Sequence, residues 1–128
     1  MGLNPHSHAG ALTILLQAND VEGLQWIPVK PLPNAFIINV GDALEIMTKG
    51  IYESIEHRAT VNANKERISI ATFFVPSRGS IIGPAPNLVT PETPAIFTSI
   101  SCEEYYHGYL SKELRGKDFV NSLKITKY

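Results

Sequence analysis

Hydrophobic and polar positions alternate in short stretches over the first two-thirds of the chain, which is the pattern of half-buried β-strands. Glycine, proline, asparagine and aspartate separate these stretches and predict turns between them. We therefore predict strands at residues 11–17, 26–30, 35–40, 52–61 and 67–75. Residues 43–48 predict one helical turn, and residues 62–65 are typical of a hairpin connection.

The last third of the chain predicts helices instead. Proline and glycine at residues 79–94 indicate an ordered loop. Ser101 and Glu104 form a capping box that starts a helix, which we expect to end at Gly116. Its contacts at helical spacing come from Tyr105, Tyr106, Tyr109 and Leu110. Residues 118–125 predict a second short helix.

The order of these elements indicates a mainly β fold. Many short strands without repeated βαβ units favour an antiparallel barrel or a double-sheet roll with helices at the carboxyl end. We predict a single domain over residues 1–128, with strands at about 5–77, a loop at about 78–99 and helices at about 101–125.

Composition narrows the classes of function. The chain has 128 residues, of which 44% are hydrophobic and 18% charged, and a formal charge of -1, so it has no electrostatic attraction for nucleic acid. Its longest apolar runs are far shorter than the ~20 residues that span a bilayer. The single cysteine, Cys102, suits a reducing compartment. We expect a cytoplasmic protein without nucleic-acid or membrane partners.

Alternation within two predicted strands places polar side chains among apolar ones. Residues two apart in a strand share a face. His57 therefore shares a face with Ile55, Ala59 and Val61, and Arg67 shares one with Ser69, Ala71 and Phe73. Together the two patterns suggest an inward-facing polar pocket, although a histidine like His57 is by itself more often a hydrogen-bonded core residue.

The tripeptide His6-Ser7-His8 is a candidate metal site. Two imidazoles two residues apart on an extended segment project from the same side and can hold one metal ion. The alternative is a pair of exposed polar residues near a terminus. His6, His8 and His57 are in positions suited to convergence, whereas His107 lies among polar residues of the predicted helix and is expected at the surface.

The pair Arg67 and Ser69 is a candidate carboxylate site. A guanidinium presents a planar fork to a carboxylate, and a nearby hydroxyl can donate a hydrogen bond to one of its oxygens. The alternative is that Arg67 pairs with Glu66 or Glu56 at a strand edge.

Several motifs resemble those of the plant iron(II)/2-oxoglutarate-dependent dioxygenases, in particular the branch that contains the codeine and thebaine demethylases and the senescence-related oxygenases. The resemblance covers almost the whole chain. It is carried by the histidine before a leucine-rich strand, by Asn39-Val40-Gly41-Asp42, by Ile55-Glu56-His57-Arg58 and by Arg67-Ile68-Ser69 ten residues after His57. The carboxy-terminal EEYYHGYLSKELRGKDFVNSLKI belongs to the same likeness.

The resemblance implies a double-stranded β-helix, or jelly-roll, core that is truncated at the amino end. It implies iron(II) as cofactor, with His6, His8 and His57 at the metal-ligand positions, and a co-substrate 2-oxoglutarate whose distal carboxylate is bound by Arg67 and Ser69. Oxygen is the second co-substrate, and ascorbate is expected to support the reaction. The implied activity is hydroxylation, demethylation or desaturation of a small plant metabolite or hormone.

One departure from the family pattern concerns the metal. The family has His-x-Asp where this chain has His6-Ser7-His8, so a carboxylate ligand is replaced by an imidazole, which reaches farther from the backbone. Three imidazoles favour zinc, copper or nickel over iron(II) more than the usual ligands do. Asp42 is a candidate rescue ligand, although we expect it to cap the turn that follows.

Two further departures concern the fold. Gln25 runs directly into Trp26, where relatives have a few more residues with a turn glycine, and the amino-terminal half is absent. We expect the absence of that half to expose apolar surface. If that half is not required, we expect the chain to be a monomer. The alternative to an active oxygenase is therefore a catalytically impaired, truncated remnant that binds at most a metal ion or a partner.

Overall fold

The computed structural model describes residues 3–19, 21, 23–25, 30, 32–111 and 116–125. Its strands are β1 (Leu3–His6), β2 (Leu12–Gln17), β3 (Leu24–Gln25), β4 (Phe36–Val40), β5 (His57–Ala59), β6 (Ser69–Phe74), β7 (Ile81–Ile82) and β8 (Ile100–Ser101). Its helices are α1 (Asp42–Met47), α2 (Cys102–Leu110) and α3 (Asp118–Ser122), with a short 3-10 turn at Pro86–Leu88. None of the helices in this part of the chain is long and apolar enough to cross a membrane.

The strands form two three-stranded sheets and one small ribbon. The first sheet has the order β1-β5-β3, the second has the order β4-β2-β6, and β7 pairs with β8. All the pairings within these sheets are antiparallel, as in the double-sheet roll predicted from the sequence.

The register of the second sheet separates two faces. Residues that are paired across an antiparallel sheet point to the same side. One face therefore carries Thr13, Leu15, Gln17, Ile37, Asn39, Ser69, Ala71 and Phe73. The opposite face carries Leu12, Ile14, Leu16, Phe36, Ile38, Val40, Ile70, Thr72 and Phe74. We call the first the inner face, because Thr13 and Leu15 at its centre are buried, and the second the outer face.

The core lies between α1, the β7–β8 ribbon and the carboxy-terminal helices rather than between the two larger sheets. Its members are Ala9, Ala43, Ile46, Ile82, Phe97, Cys102, Tyr105 and Val120. Helix α2 presents Tyr105 to this core. The Tyr105 hydroxyl donates a hydrogen bond of 2.8 Å to the carbonyl oxygen of Ala9, and it thereby joins the carboxyl end of the chain to the segment after His8.

Two predictions about the middle of the chain are wrong. The strand predicted at residues 52–61 shrinks to β5, because Ser54 turns inward to hydrogen-bond with Asp42 and Glu45. Ile55 and Val61, predicted to face inward, are 56% and 67% exposed. Residues 62–65 do not close a hairpin, since β5 and β6 belong to different sheets.

The elements predicted at the carboxyl end are of the correct type, but their lengths differ from the prediction. The capping box of Ser101 and Glu104 is confirmed, with both of its reciprocal hydrogen bonds. Helix α2 ends at Leu110, however, before Gly116, and Leu110 is 76% exposed rather than a packing residue. The loop after residue 78 contains β7. The strand predicted at residues 26–30 falls almost entirely outside the described residues.

The tyrosines of α2 provide a matched test of this packing. Tyr105→Phe removes the hydrogen bond to Ala9 and leaves a buried carbonyl without a partner, which should lower the free energy of unfolding by about 1–2 kcal/mol. Tyr106→Phe is the control: its hydroxyl is buried and has no partner, so its removal should leave stability unchanged or raise it slightly. Urea unfolding followed by circular dichroism measures both, and equal losses would contradict the assignment.

Candidate metal centre

The imidazoles of His6 and His57 come together across the first sheet. His6 on β1 is the direct partner of His57 on β5, and their ring centroids are 4.6 Å apart. Each ring is fixed in the same way: Nδ1 of His6 lies 2.7 Å from the carbonyl oxygen of Asn4, and Nδ1 of His57 lies 3.0 Å from that of Ile55.

These two hydrogen bonds determine which nitrogen is open. A carbonyl oxygen only accepts, so Nδ1 carries the proton in both rings and Nε2 of the neutral imidazole keeps its lone pair. Bonding of one ring nitrogen to a backbone carbonyl is how proteins orient a histidine that binds metal through the other nitrogen. His6 and His57 therefore form a pair of donors that is already oriented.

His8 is close to this pair but turned aside. Its ring lies 4.9 Å from that of Phe73, at an interplanar angle of 44°, and its Nε2 is buried without a hydrogen-bond partner. Gly10 makes room for that nitrogen, since a Cβ at this position would lie 2.6 Å from Nε2. Burial lowers the pKa of His8, and its electrostatic interaction with His57 and His6 lowers the pKa further, which favours the neutral form that a metal ligand requires.

The fit of these residues to a metal ion is partial. The three imidazoles are suitable donors, and the Nε2 atom of His8 lacks a partner that a metal could supply. Within the described ranges, however, no three histidine, cysteine or acidic side chains lie close enough together to hold an ion as they stand. His6 and His57 are neighbouring candidate donors, and His8 would have to turn away from Phe73 to join them.

The segment between the histidines is held by a buried hydrogen-bond network. Ser7, which is 1% exposed, donates a hydrogen bond of 2.7 Å to Asp42 at the start of α1. Ser54 donates one of 2.5 Å to the other carboxylate oxygen of Asp42. The backbone contributes two more contacts, from the amide of Asp42 to the carbonyl of His8 and from the Tyr109 hydroxyl to the carbonyl of Ser7.

The network continues from Ser54 to a buried ion pair. Glu45 accepts hydrogen bonds from both the amide and the hydroxyl of Ser54 and lies 2.6 Å from the ammonium of Lys117. Burial alone would raise the pKa of Glu45, but the hydrogen bonds from Lys117 and Ser54 outweigh it and hold the pKa below its ordinary value. Burial raises the pKa of Asp42, in spite of its bonds from Ser54 and Ser7.

Asp42 has neither of the roles that the sequence suggested for it. Both of its carboxylate oxygens are used by Ser7 and Ser54, so it does not serve as a rescue ligand. It is the first residue of α1 rather than the cap, which is Gly41, and no side-chain cap bond is present.

Ser69 lies on the inner face of the second sheet, and Arg67 lies two residues before it, just outside β6. Ser69 is paired with Gln17, and the Nη2 atom of Arg67 lies 3.4 Å from Oε1 of Gln17. The Nε atom of Arg67 is buried and has no partner. Gly23 provides the space for this side chain, because a Cβ there would lie 2.5 Å from Cδ of Arg67.

The guanidinium of Arg67 remains available for an anion. In the described part of the chain it makes no ion pair with Glu56 or Glu66, which removes the alternative drawn from the sequence. A cleft of about 490 Å³ is lined by residues 59–67, so Arg67 borders open space.

His107 is exposed on α2, as predicted.

Sequence reasoning identified the candidate ligands but missed the residues that hold them. Ser7, Ser54, Glu45 and Lys117 form the network behind the histidines, while Gln17 and Gly23 border Arg67. The one available signal was Glu45 itself, a carboxylate among the residues of α1 that are otherwise apolar after Asp42.

The two sheets bring the His6–His57 pair and the Arg67-x-Ser69 motif into one fold, the combination that the resemblance to iron(II)/2-oxoglutarate oxygenases implies. Residues 1–76 match the 2OG-Fe(II) oxygenase superfamily. The chain belongs to this superfamily, whose cofactor is iron(II) and whose co-substrate is 2-oxoglutarate.

Curated plant proteins are similar over nearly the whole chain. Identity is 56% to thebaine 6-O-demethylase of Papaver somniferum, over 98% of this chain and 36% of the relative. It is 55% to the oxoglutarate-dependent flavonoid 7-O-demethylase 1 of Ocimum basilicum, over 97% of this chain and 35% of the relative. The chain thus spans about a third of the length of the curated relatives it matches.

Solved structures confirm the jelly-roll fold. JOX2, solved in complex with 2OG, Fe and JA, has a TM-score of 0.89 and 38% identity, over 97% of this chain and 38% of that one. A rice dioxygenase for auxin oxidation has a TM-score of 0.86 and 27% identity, over 96% of this chain and 45% of that one.

The Glu45–Lys117 pair predicts a pH-dependent loss of stability. Glu45→Gln should lower the free energy of unfolding by about 2 kcal/mol at pH 7, because it removes the charge from a buried, hydrogen-bonded pair. The folded-state pKa of Glu45 is depressed, so its contribution is present above the unfolded value of about 4.3 and is lost as pH falls through the folded value. The difference between variant and parent should therefore vanish in acid.

Glu104→Gln is the control for this prediction, since Glu104 is an exposed glutamate of α2 whose capping bonds an amide oxygen can accept. Urea unfolding at several pH values distinguishes the two. A Glu45→Gln difference that stays constant down to pH 3 would show that the charge of Glu45 does not stabilise the fold.

Proposed function

We propose that this chain is the metal- and keto-acid-binding portion of an iron(II)/2-oxoglutarate-dependent oxidoreductase that acts on a small plant metabolite. The observation that carries the proposal is the neighbouring pair of His6 and His57, in which both Nδ1 atoms are bonded to backbone carbonyls. The names of the relatives, a flavonoid 7-O-demethylase and a thebaine 6-O-demethylase, support demethylation; hydroxylation and desaturation are the other reactions in the proposed class.

The residues have separate tasks in this proposal. His6, His57 and a reoriented His8 would hold the metal, and Arg67 with Ser69 would bind the distal carboxylate of 2-oxoglutarate. When bound, the metal and keto acid supply the oxidising chemistry through oxygen. The protein orients the imidazoles of His6 and His57 on paired strands and presents the guanidinium of Arg67 beside β6.

The buried network gives the metal ligands their support. Ser7 cannot rotate away without breaking its bond to Asp42, and its backbone carries His6 and His8 on either side. A site supported in this way loses less entropy when it binds an ion than one on a free terminus.

We also propose that the reaction depends on ascorbate and that the protein is cytoplasmic.

A second candidate is a catalytically impaired remnant, and the position of His8 favours it. A carboxylate at residue 8 would be short and anionic, whereas the imidazole present packs on Phe73. The two candidates differ in whether His8 turns to meet an ion.

Anaerobic calorimetry with iron(II), in the presence of 2-oxoglutarate, tests the proposal. We expect the His8→Asp variant to bind iron(II) at least about tenfold more tightly than the parent, because an anionic ligand replaces a displaced neutral one. Measurable binding by the parent would show that His8 completes the site. Binding by the variant alone would favour the remnant.

Two arginine variants are the controls for the keto acid. Arg67→Gln should weaken the binding of 2-oxoglutarate while leaving binding of the metal alone unchanged, and Arg78→Gln, at an exposed position, should change neither. If neither parent nor His8→Asp binds iron(II) while circular dichroism shows a folded β protein, the proposed function is wrong.

A further inference from the structure

The side-chain amide of Gln17 lies between two groups that require opposite ends of it. Its Nε2 atom donates a hydrogen bond to the carbonyl oxygen of Val21, and its Oε1 atom accepts one of 3.4 Å from Nη2 of Arg67. A carbonyl oxygen only accepts hydrogen bonds, and a guanidinium only donates them. Turning the amide over would break both bonds, so the orientation of Gln17 relative to Arg67 is fixed.

The backbone on both sides of Arg67 is also held by the segment that follows β2. The side-chain amide of Asn19 donates a hydrogen bond of 2.7 Å to the carbonyl oxygen of Glu66. The side-chain oxygen of Asn19 accepts one of 3.3 Å from the backbone amide of Ile68. The residues directly before and after Arg67 are therefore fixed to the end of the strand that carries Gln17.

The stem of the Arg67 side chain lies against Gly23. A Cβ atom at position 23 would lie 2.5 Å from Cδ and 2.8 Å from Nε of Arg67, so glycine leaves room for this conformation. The carbonyl oxygen of Gly23 accepts a hydrogen bond of 2.9 Å from the amide of Thr60, which anchors the glycine beside the end of β5. Because Nε of Arg67 is buried without a partner, a ligand reaches the guanidinium through its two terminal nitrogens.

Gln17 restrains the guanidinium without neutralising its charge. An amide oxygen is an uncharged acceptor, and in the described part of the chain Arg67 forms no ion pair. Gln17 is paired with Ser69 across β2 and β6, so both side chains point to the inner face. A carboxylate at position 17 would instead form a charge-assisted pair with Arg67 and would compete with an anionic ligand for the guanidinium.

We infer that Gln17 and Gly23 are positioning residues for the keto acid, because together they fix the direction of the Arg67 guanidinium before the ligand binds. The inference rests on the proposed function for the identity of that ligand. A binding side chain that is already held by packing and hydrogen bonds loses less entropy when its ligand arrives. Both residues act through Arg67, and the amide at position 17 is required because it orients the guanidinium and leaves its charge free.

NMR spectroscopy of the metal-free chain tests the positioning directly. The Nε–H signal of Arg67 is assigned with Arg67→Gln, and its exchange with water is compared with that of exposed Arg78. We expect Arg67 to exchange at least about tenfold more slowly than Arg78, because its Nε is buried. Gln17→Met, which keeps the length of the side chain but removes the amide, and Gly23→Ala should each speed the exchange.

Glutarate is the probe for ligand binding. It has the two carboxylates of 2-oxoglutarate but lacks the keto oxygen that chelates a metal, so the Arg67 signal reports its binding without iron. Gln17→Met should weaken this binding at least about fivefold, because the ligand must then order the guanidinium. Gln17→Glu should weaken it at least about tenfold, because the new carboxylate pairs with the guanidinium. Leu16→Met, one residue away on the outer face, is the matched control and should bind glutarate like the parent.

Circular dichroism shows whether each variant is folded, and if Gly23→Ala unfolds, the two Gln17 variants decide the outcome. Unchanged exchange at Arg67 in Gln17→Met, or parent-like binding of glutarate by Gln17→Glu, would overturn the inference. So would a parent chain in which glutarate leaves the Arg67 signal unmoved. None of these measurements contains a metal, so iron(II) binding, and with it the proposed function, can fail while the positioning of Arg67 is confirmed.

Discussion

The candidate metal centre depends on one buried carboxylate. Asp42 accepts hydrogen bonds from Ser7 and Ser54, and through them it joins the His6-Ser7-His8 segment to the segment before His57. Burial raises the pKa of Asp42. Burying its carboxylate costs free energy unless hydrogen-bond partners are in place. The two serines meet that requirement, so the segments that carry the histidines are fixed relative to α1.

The same network extends to the carboxyl end of the chain. Lys117 bonds with both Glu45 and the carbonyl of Ser54, and the hydroxyls of Tyr105 and Tyr109 reach the carbonyls of Ala9 and Ser7. The carboxy-terminal helices therefore do more than close the core. Together with Gly116, which forms a bridge with His6, they hold the segment that carries His6 and His8.

The sequence predicted correctly the features that interactions between neighbouring residues determine. The capping box at Ser101 and the strand at β6 were correct because neighbouring residues determine them. Pairing could not be predicted: residues 62–65 have hairpin chemistry, and the Asn62 side chain does accept bonds from the next amides, yet they connect different sheets. The inward turn of Ser54 could not be predicted either, because it depends on Asp42, twelve residues away. The turn of His8 toward Phe73 could not be predicted because it depends on the second sheet.

The two faces of the second sheet differ in the side chains that they carry. The inner face carries Gln17 and Ser69 beside Arg67, with Arg67 and Ser69 proposed to bind the keto acid, and the outer face is apolar. Family membership follows from the sequence match, and the proposed activity depends on His8, the proposed ligand position at which this chain departs from the His-x-Asp pattern.

The most direct test of the central claim is a long-range ¹H–¹⁵N NMR spectrum of the histidine side chains, assigned with single His→Gln variants and with exposed His107 as reference. The account predicts that neutral His6 and His57 are both protonated on Nδ1, and that zinc shifts the Nε2 signals of both together. Protonation of either ring on Nε2, or a zinc response confined to His107, would contradict the oriented histidine pair.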